Sequence, residues 1–239
     1  MAFSAQESRR YARHLVLKGM GGGGQQALAQ AKVLVIGAGG LGSPGIAYLA
    51  AAGVGTLGIA DNDAVAVSNL QRQIVHSTAG IGLNKAQSAA GFATALNPHV
   101  AVIAHTARVD ADTAKALIAE YHLVLDGSDS LATRRVVAAA CAALAKPLVA
   151  GAVTMFDGQL TIFAPHLGGP RFEALYPPEA EDGDLPSCEA NGVLGPLTGV
   201  IGTLMAMEAI KLICAIGEPL IGRVLVYNGK AARFSEFNY

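Results

Sequence analysis

Val33-Leu34-Val35-Ile36-Gly37-Ala38-Gly39-Gly40-Leu41-Gly42 runs from four branched aliphatic residues straight into a glycine-rich loop. An apolar run with no polar alternation is the pattern of a strand buried on both faces, as in a parallel sheet. Gly37 permits a tight turn, Gly39 and Gly40 let backbone approach a phosphate, and Gly42 lets the next helix pack on the strand. That helix is expected over 43–52, with Ser43 as its cap and Pro44 in its first turn. Its N-terminal N–H groups would face an anion. Asp61 stands nineteen residues beyond Gly42, at the end of a second strand over 57–60, where a carboxylate can accept from ribose hydroxyls. On these features NAD, FAD and ATP fit equally, and a nicotinamide-dependent oxidoreductase is a full competitor.

Outward from this unit, helices and strands alternate. A helix over about 83–96 stops at Asn97-Pro98, and strand 100–105 follows. A helix over 111–120 precedes strand 123–126, and an alanine-rich helix over 131–145 precedes strand 148–151. The alternation predicts an α/β fold, a Rossmann-like doubly wound and mainly parallel sheet. After residue 152 the texture changes. Val153–Phe156 and Gln159–Phe163 flank Asp157-Gly158, read as a hairpin turn, and another hairpin is expected around Asn228-Gly229. Between them lie an aperiodic loop over 165–190 and a helix over 196–216. The chain is thus expected to form one domain over 1–239: an arm (1–24), a nucleotide-binding half (25–152) and a half with an antiparallel extension (153–239). The arm is helical over 4–17, and the glycine patch at 19–24 is expected to break that helix and leave the arm mobile.

Bulk properties narrow the class. Hydrophobic residues make up 52% and charged residues 15%, ample for a core, and the net charge of −1 gives no footprint for nucleic acid or an anionic membrane. Residues 41–60 and 190–207 carry no charge, but their glycines and Pro196 fit buried elements better than membrane spans. Cys141, Cys188 and Cys214 are widely spaced and odd in number, so a reducing, cytoplasmic setting is expected rather than a disulfide framework. Glu7, Arg9, Arg10 and Arg13 precede any apolar run, which argues against a secretory signal.

The polar residues after Asp61 favour ATP. Asp61-Asn62-Asp63 is followed by Ser68-Asn69-Leu70-Gln71-Arg72-Gln73 and then Lys85. Arginine matches phosphate oxygens bidentately and lysine adds a compact charge, which suits charge developing on a transferring phosphoryl group. A triphosphate also needs Mg²⁺, which takes one or two carboxylates plus waters. Asp129, just beyond the strand ending at Asp126, is the candidate ligand, with capping of the helix near 131 as its alternative role. A solvated surface loop is the alternative for Arg72.

The glycine loop at 37–42, Asp61-Asn62-Asp63, the hexapeptide at 68–73, Lys85, Asn97-Pro98, Leu-Asp-Gly-Ser-Asp at 125–129 and the stretch 199–211 together resemble the HesA/MoeB/ThiF family. These are bacterial relatives of ubiquitin-activating enzymes. The resemblance implies adenylation of the C-terminal glycine of a small ubiquitin-fold sulfur carrier, in molybdopterin or thiamine synthesis, with release of pyrophosphate. It implies that Arg72 and Lys85 contact the phosphates, that Asp63, Ser68, Asn69, Gln71 and Ser130 help to line the nucleotide site, that Asp129 holds Mg²⁺ and that Asp61 holds the ribose. It also implies a homodimer in which Arg13 reaches the partner's site, and it matches Cys188 to a crossover-loop cysteine that handles the activated carrier in some branches. Two departures stand out. The family's two CxxC pairs for zinc have no counterpart at Pro170–Glu173 or before Tyr239, so no zinc is expected. The family's Thr-Asp-Asn is Ser128-Asp129-Ser130, which keeps the carboxylate and loses an amide. A nicotinamide oxidoreductase and a catalytically weak docking module for a ubiquitin-like partner are the competing readings.

Overall fold

The structure is a computed structural model that describes residues 3–180 and 192–239. Its centre is an eight-stranded sheet, built on β1 (Lys32–Ile36). β1 pairs in parallel with β2 (Thr56–Ala60) on one side and β4 (Leu123–Asp126) on the other. β3 (Ala101–His105) lies outside β2, and β5 (Leu148–Thr154) continues in parallel beyond β4. β6 (Asp157–Phe163), β7 (Arg223–Asn228) and β8 (Arg233–Asn238) extend the sheet antiparallel, in the order β3-β2-β1-β4-β5-β6-β7-β8. The fold is the mainly parallel α/β sheet with an antiparallel C-terminal extension that the sequence implies.

Alternate side chains of β1 enter different cores, which is why the run has no polar position. Val33 and Val35 pack with Leu49, Leu57, Ile59 and Leu125, while Leu34 and Ile36 pack with Ile118, Val124, Val137 and Phe163 on the opposite face. Burying each such aliphatic side chain stabilises the fold by about 1.5–3 kcal/mol. The first core is roofed by α4 (Gly42–Ala52), α5 (Lys85–Leu96) and α8 (Gly195–Cys214), and the second by α6 (Ala114–Ala119) and α7 (Leu131–Ala143). By length and composition α8 could cross a membrane. Here Ile201, Met205, Ala206 and Ala209 are buried on the sheet.

Three local expectations are corrected. The first hairpin turns at Met155-Phe156, with Met155 at φ 46°, while Asp157 and Gly158 open β6. Gly158 serves packing: a Cβ there would strike Ile201 of α8. Helix α4 begins at Gly42 with Leu41 as its N-cap residue, and no side chain caps it. Ser43 is instead fully buried, its hydroxyl without a protein partner.

The third correction concerns the arm. After α1 (Ala5–Arg10) and α2 (Ala12–Leu15), the glycines at 21–24 form the first turn of α3 (Gly21–Gln30) rather than breaking the chain. Glycine disfavours helix through backbone entropy, but tertiary contacts outweigh that here. Gly24 lies where a Cβ would meet Met20, and the buried Gln25 bridges His14 Nδ1 and the Ala52 carbonyl, each at 2.8 Å. The arm is docked. Tyr11 is buried, and its hydroxyl accepts from Asn97 Nδ2 at 2.9 Å, while the same amide donates to the Ala50 carbonyl at 2.7 Å. In the second half Phe172, within Pro170–Glu173, stacks on Tyr176 with ring centroids 4.7 Å apart and packs against Phe163.

Asn97 is fully buried, so Asn97→Ala removes the amide that ties the Tyr11 hydroxyl to the Ala50 carbonyl and releases the arm. Urea unfolding should show a loss of about 1–3 kcal/mol, with new trypsin cleavage at Arg9, Arg10 or Arg13.

Candidate functional site

Register brings the site together. Ile36 pairs with both Ala60 and Asp126, so Gly37, Asp61 and Gly127 leave the sheet at one level. Beyond β1 the chain winds out through β2 and β3, then crosses back to β4 on the other side. The gap between β1 and β4 at their carboxyl ends is where open α/β sheets bind ligands. A cleft of about 590 Å³ opens there.

The loop that floors the cleft depends on two glycines. Gly37 has φ +86°, and a Cβ on Gly42 would fall on the Gly37 carbonyl. No side chain caps α4; the Ser43 N–H bonds the Gly39 carbonyl at 2.9 Å and Pro44 has none, so the loop amides before Ser43 are those left for an anion.

Asp61 is half-buried and already bonded to the loop. Its Oδ2 accepts from Ala38 N at 2.8 Å and its Oδ1 from Asp63 N at 2.9 Å. Burial pushes its carboxyl above the ordinary range, against those hydrogen bonds and the Lys85 charge. Asn84 caps α5 by accepting from Gln87 N at 3.2 Å, and its amide donates to the Asp61 carbonyl at 2.9 Å. That turn aims Lys85, a buried residue, at Asp63, with Nζ to Oδ2 at 2.8 Å.

Of the five residues singled out over 68–72 and at 85, only Arg72 and Lys85 line the cleft. Ser68, Asn69 and Gln71 do not, and they build the turn that presents Arg72. Asn69 Oδ1 accepts from Ala66 N at 3.0 Å, and Arg72 Nη1 donates to the Ser68 carbonyl at 3.1 Å. Gln71 backs onto Gly195 at the start of α8.

On the far wall, Ser130 caps α7, its Oγ accepting from Thr133 N at 3.1 Å. The capping role open to Asp129 is therefore taken, and its exposed carboxylate lies on the cleft lining. Asp126 Oδ1 accepts from Ser128 N at 2.9 Å, while Arg134 Nε and Nη2 donate to the Ser128 carbonyl at 3.1 and 2.6 Å. The strand end is held from both sides. Asp63 and Ser130 also line the cleft, with Gly37, Gly39, Gly40 and Asp61; Gly42 packs behind them. Arg13 is exposed on α2, away from this lining, and Cys188 lies outside the described residues.

Gln73, Arg108, Arg134 and Asp157 line the cleft unforeseen. Only Gln73 had a signal, as the last residue of the hexapeptide. Arg108 follows β3 and Asp157 opens β6, positions that sequence spacing does not connect to the loop.

The model of the ThiF family matches residues 11–239. The chain belongs to the ThiF family. Among ThiF-family relatives it is 43% identical over 233 residues to the molybdopterin-synthase adenylyltransferase of Escherichia coli, covering 98% of this chain and 93% of that protein. It is 42% identical over 239 residues to the SAMP-activating enzyme E1 of Haloferax volcanii, covering 100% and 88%. It is 47% identical over 230 residues to the probable adenylyltransferase/sulfurtransferase MoeZ of Mycobacterium tuberculosis, covering 95% of this chain and only 59% of that relative's length. The fold superposes on solved structures of PaaA and of E. coli MccB with its MccA-N7isoASN, each at TM-score 0.84 and 22% identity, over 99% of this chain and 74% and 72% of those chains.

Because both Asp61 oxygens accept backbone N–H groups, Asp61→Asn must turn its amide NH₂ against one of them, whichever way it flips. It should lose about 1–3 kcal/mol in denaturant unfolding. An unchanged midpoint would mean that these bonds do not hold the loop.

Proposed function

We propose that this ThiF-family chain adenylates the C-terminal glycine carboxylate of a small ubiquitin-fold sulfur-carrier protein, using ATP and Mg²⁺ and releasing pyrophosphate. The observation that carries the reading is the gathering of Arg72, Lys85 and Asp129 around an uncapped glycine loop, in one cleft at the carboxyl edge of the sheet. A dinucleotide reductase has no need of a metal-binding carboxylate such as Asp129 beside those cations. The names of the E. coli and H. volcanii relatives, nearly the same length as this chain, support it further.

The carrier carboxylate attacks the α-phosphate in line and pyrophosphate leaves. Little covalent work falls to the protein, so positioning and charge neutralisation dominate. Arg72 grips phosphate oxygens, and Lys85 exchanges Asp63 for developing phosphate charge. Asp61 keeps lone pairs for the ribose hydroxyls beside its two backbone bonds. Asp129 suits Mg²⁺, since the ion takes one or two carboxylates and fills its shell with water and phosphate oxygens. Among the described residues no group of three acidic, histidine or cysteine side chains gathers to make a protein-only metal cage. The ion would come with the nucleotide, held by Asp129, and would neutralise phosphate charge. Arg135 donates to the Pro177 and Ala180 carbonyls at 2.7 and 2.9 Å, anchoring the described end of the loop expected to receive the carrier's tail.

The working unit we propose is a cytoplasmic homodimer, with Arg13 of each subunit serving the partner's cleft. Its support is the exposure of Arg13 on a docked arm, together with exposed Val67, Ile74, Ile81 and Leu83 in the segment that carries Arg72.

Pyrophosphate exchange dependent on a Gly-Gly-ended carrier tests the reaction. Arg72→Ala and Asp129→Ala should each lower it by about a hundredfold or more, and full activity in either would remove the assignment. Mixing tests the shared site. Arg13→Ala and Arg72→Ala should each be nearly inactive alone. In a random mixture half the dimers are mixed and one of their two sites is whole, so about a quarter of wild-type activity should return. No recovery would put Arg13 outside the partner's cleft.

A further inference from the structure

Ala38, at the centre of the glycine loop, is held on both sides. Its N–H donates to Asp61 Oδ2 at 2.8 Å, and its carbonyl accepts from His76 Nε2 at 2.9 Å. His76 is only 8% exposed, and its Nδ1 lies 2.9 Å from Ser88 Oγ on α5. A carbonyl can only accept, so Nε2 carries a proton. In the neutral ring Nδ1 then accepts from the Ser88 hydroxyl, and α5 thereby sets the tautomer. Burial, acting foremost, keeps His76 below the usual imidazole range and favours that neutral form.

The Ala38 carbonyl shares a peptide plane with the Gly39 N–H, and in a trans peptide the two point in opposite directions. With the carbonyl turned to the buried imidazole, the N–H is turned away from it. Gly39 itself lines the cleft, and its N–H has no hydrogen-bond partner among the described residues. We propose that His76 is a positioning residue that locks the Ala38–Gly39 peptide with the Gly39 N–H presented to a phosphate oxygen of the nucleotide, an inference that rests on the ATP reading above. A flipped peptide would offer the phosphate a carbonyl oxygen instead, and would be repelled. That flip turns ψ of Ala38 and φ of Gly39, and glycine at 39 makes it sterically easy, so an external lock is required. His76 supplies it from the carbonyl side, as Asp61 does from the preceding amide.

The test compares ATP with adenosine, because a displaced phosphate donor affects only the former. Calorimetric titration of the wild-type chain comes first; no ATP binding there would overturn the functional reading itself. His76→Leu removes the donor, and should weaken ATP binding about tenfold or more while leaving adenosine binding within about twofold. His76→Gln keeps an N–H near the place of Nε2 and should recover most of the lost ATP affinity. If His76→Leu does not fold, by circular dichroism and thermal melting, His76→Asn replaces it, since its amide stops short of the Ala38 carbonyl. Equal loss of ATP and adenosine affinity would reduce His76 to a packing role and overturn the proposal. So would unchanged ATP binding, or failure of the glutamine variant to recover where the leucine or asparagine variant loses.

Discussion

The pairing of β1 with β2 and β4 at a common level is the constraint on which everything else in this molecule rests. Ile36 lies beside Ala60 and Asp126, so three chain segments far apart in sequence leave the sheet together. Parallel strands all point their carboxyl ends one way, and the reversal of winding at β1 opens a gap between the first turn and the fourth. A glycine loop, an acid and a capped helix then meet in one cleft. A register slip of a single residue would turn Val33 and Val35 into the wrong core and separate these groups.

Within that frame the backbone is held more tightly than its glycine content suggests. Asp61 and His76 grip Ala38, Asp126 and Arg134 grip Ser128, and Asn84 ties the Lys85 helix to the Asp61 strand end. The charged side chains that line the cleft are differently employed. Lys85 is paired with Asp63, Arg72 with a backbone carbonyl, and Asp129 is relieved of capping by Ser130. Such a site can neutralise a phosphate by exchanging partners rather than by burying a new charge. The residue that replaces the family's asparagine, Ser130, thus has a structural task of its own.

Much of this was legible without coordinates. The strand–loop–helix unit, the strand ends at Ala60 and Asp126 and the positions of Arg72, Lys85 and Asp129 follow from local pattern, because period and turn chemistry act over a few residues. The misreadings share one cause. At 21–24 four glycines form a helical turn because Gln25 and Tyr11 are tied to residues far along the chain, and local propensity cannot register such ties. At Asp157-Gly158 a turn signal proved to be a packing requirement against α8. Ser68, Asn69 and Gln71 lie off the cleft lining, where Asn69 and the Ser68 carbonyl brace the turn that carries Arg72, a placement that needs the direction of each side chain.

The sequence by itself determined the class of fold, the glycine loop, the acid at the end of β2 and the cationic residues, since each is encoded within a short window of period, spacing and residue chemistry. Only the tertiary structure decided which polar residues face the cleft and which brace it. It joined Arg108, Arg134 and Asp157 to the site and set His76 against the Ala38 carbonyl. The physical reason is that direction and partner are properties of packed surfaces, and those arise only when distant segments are brought to one level of the sheet.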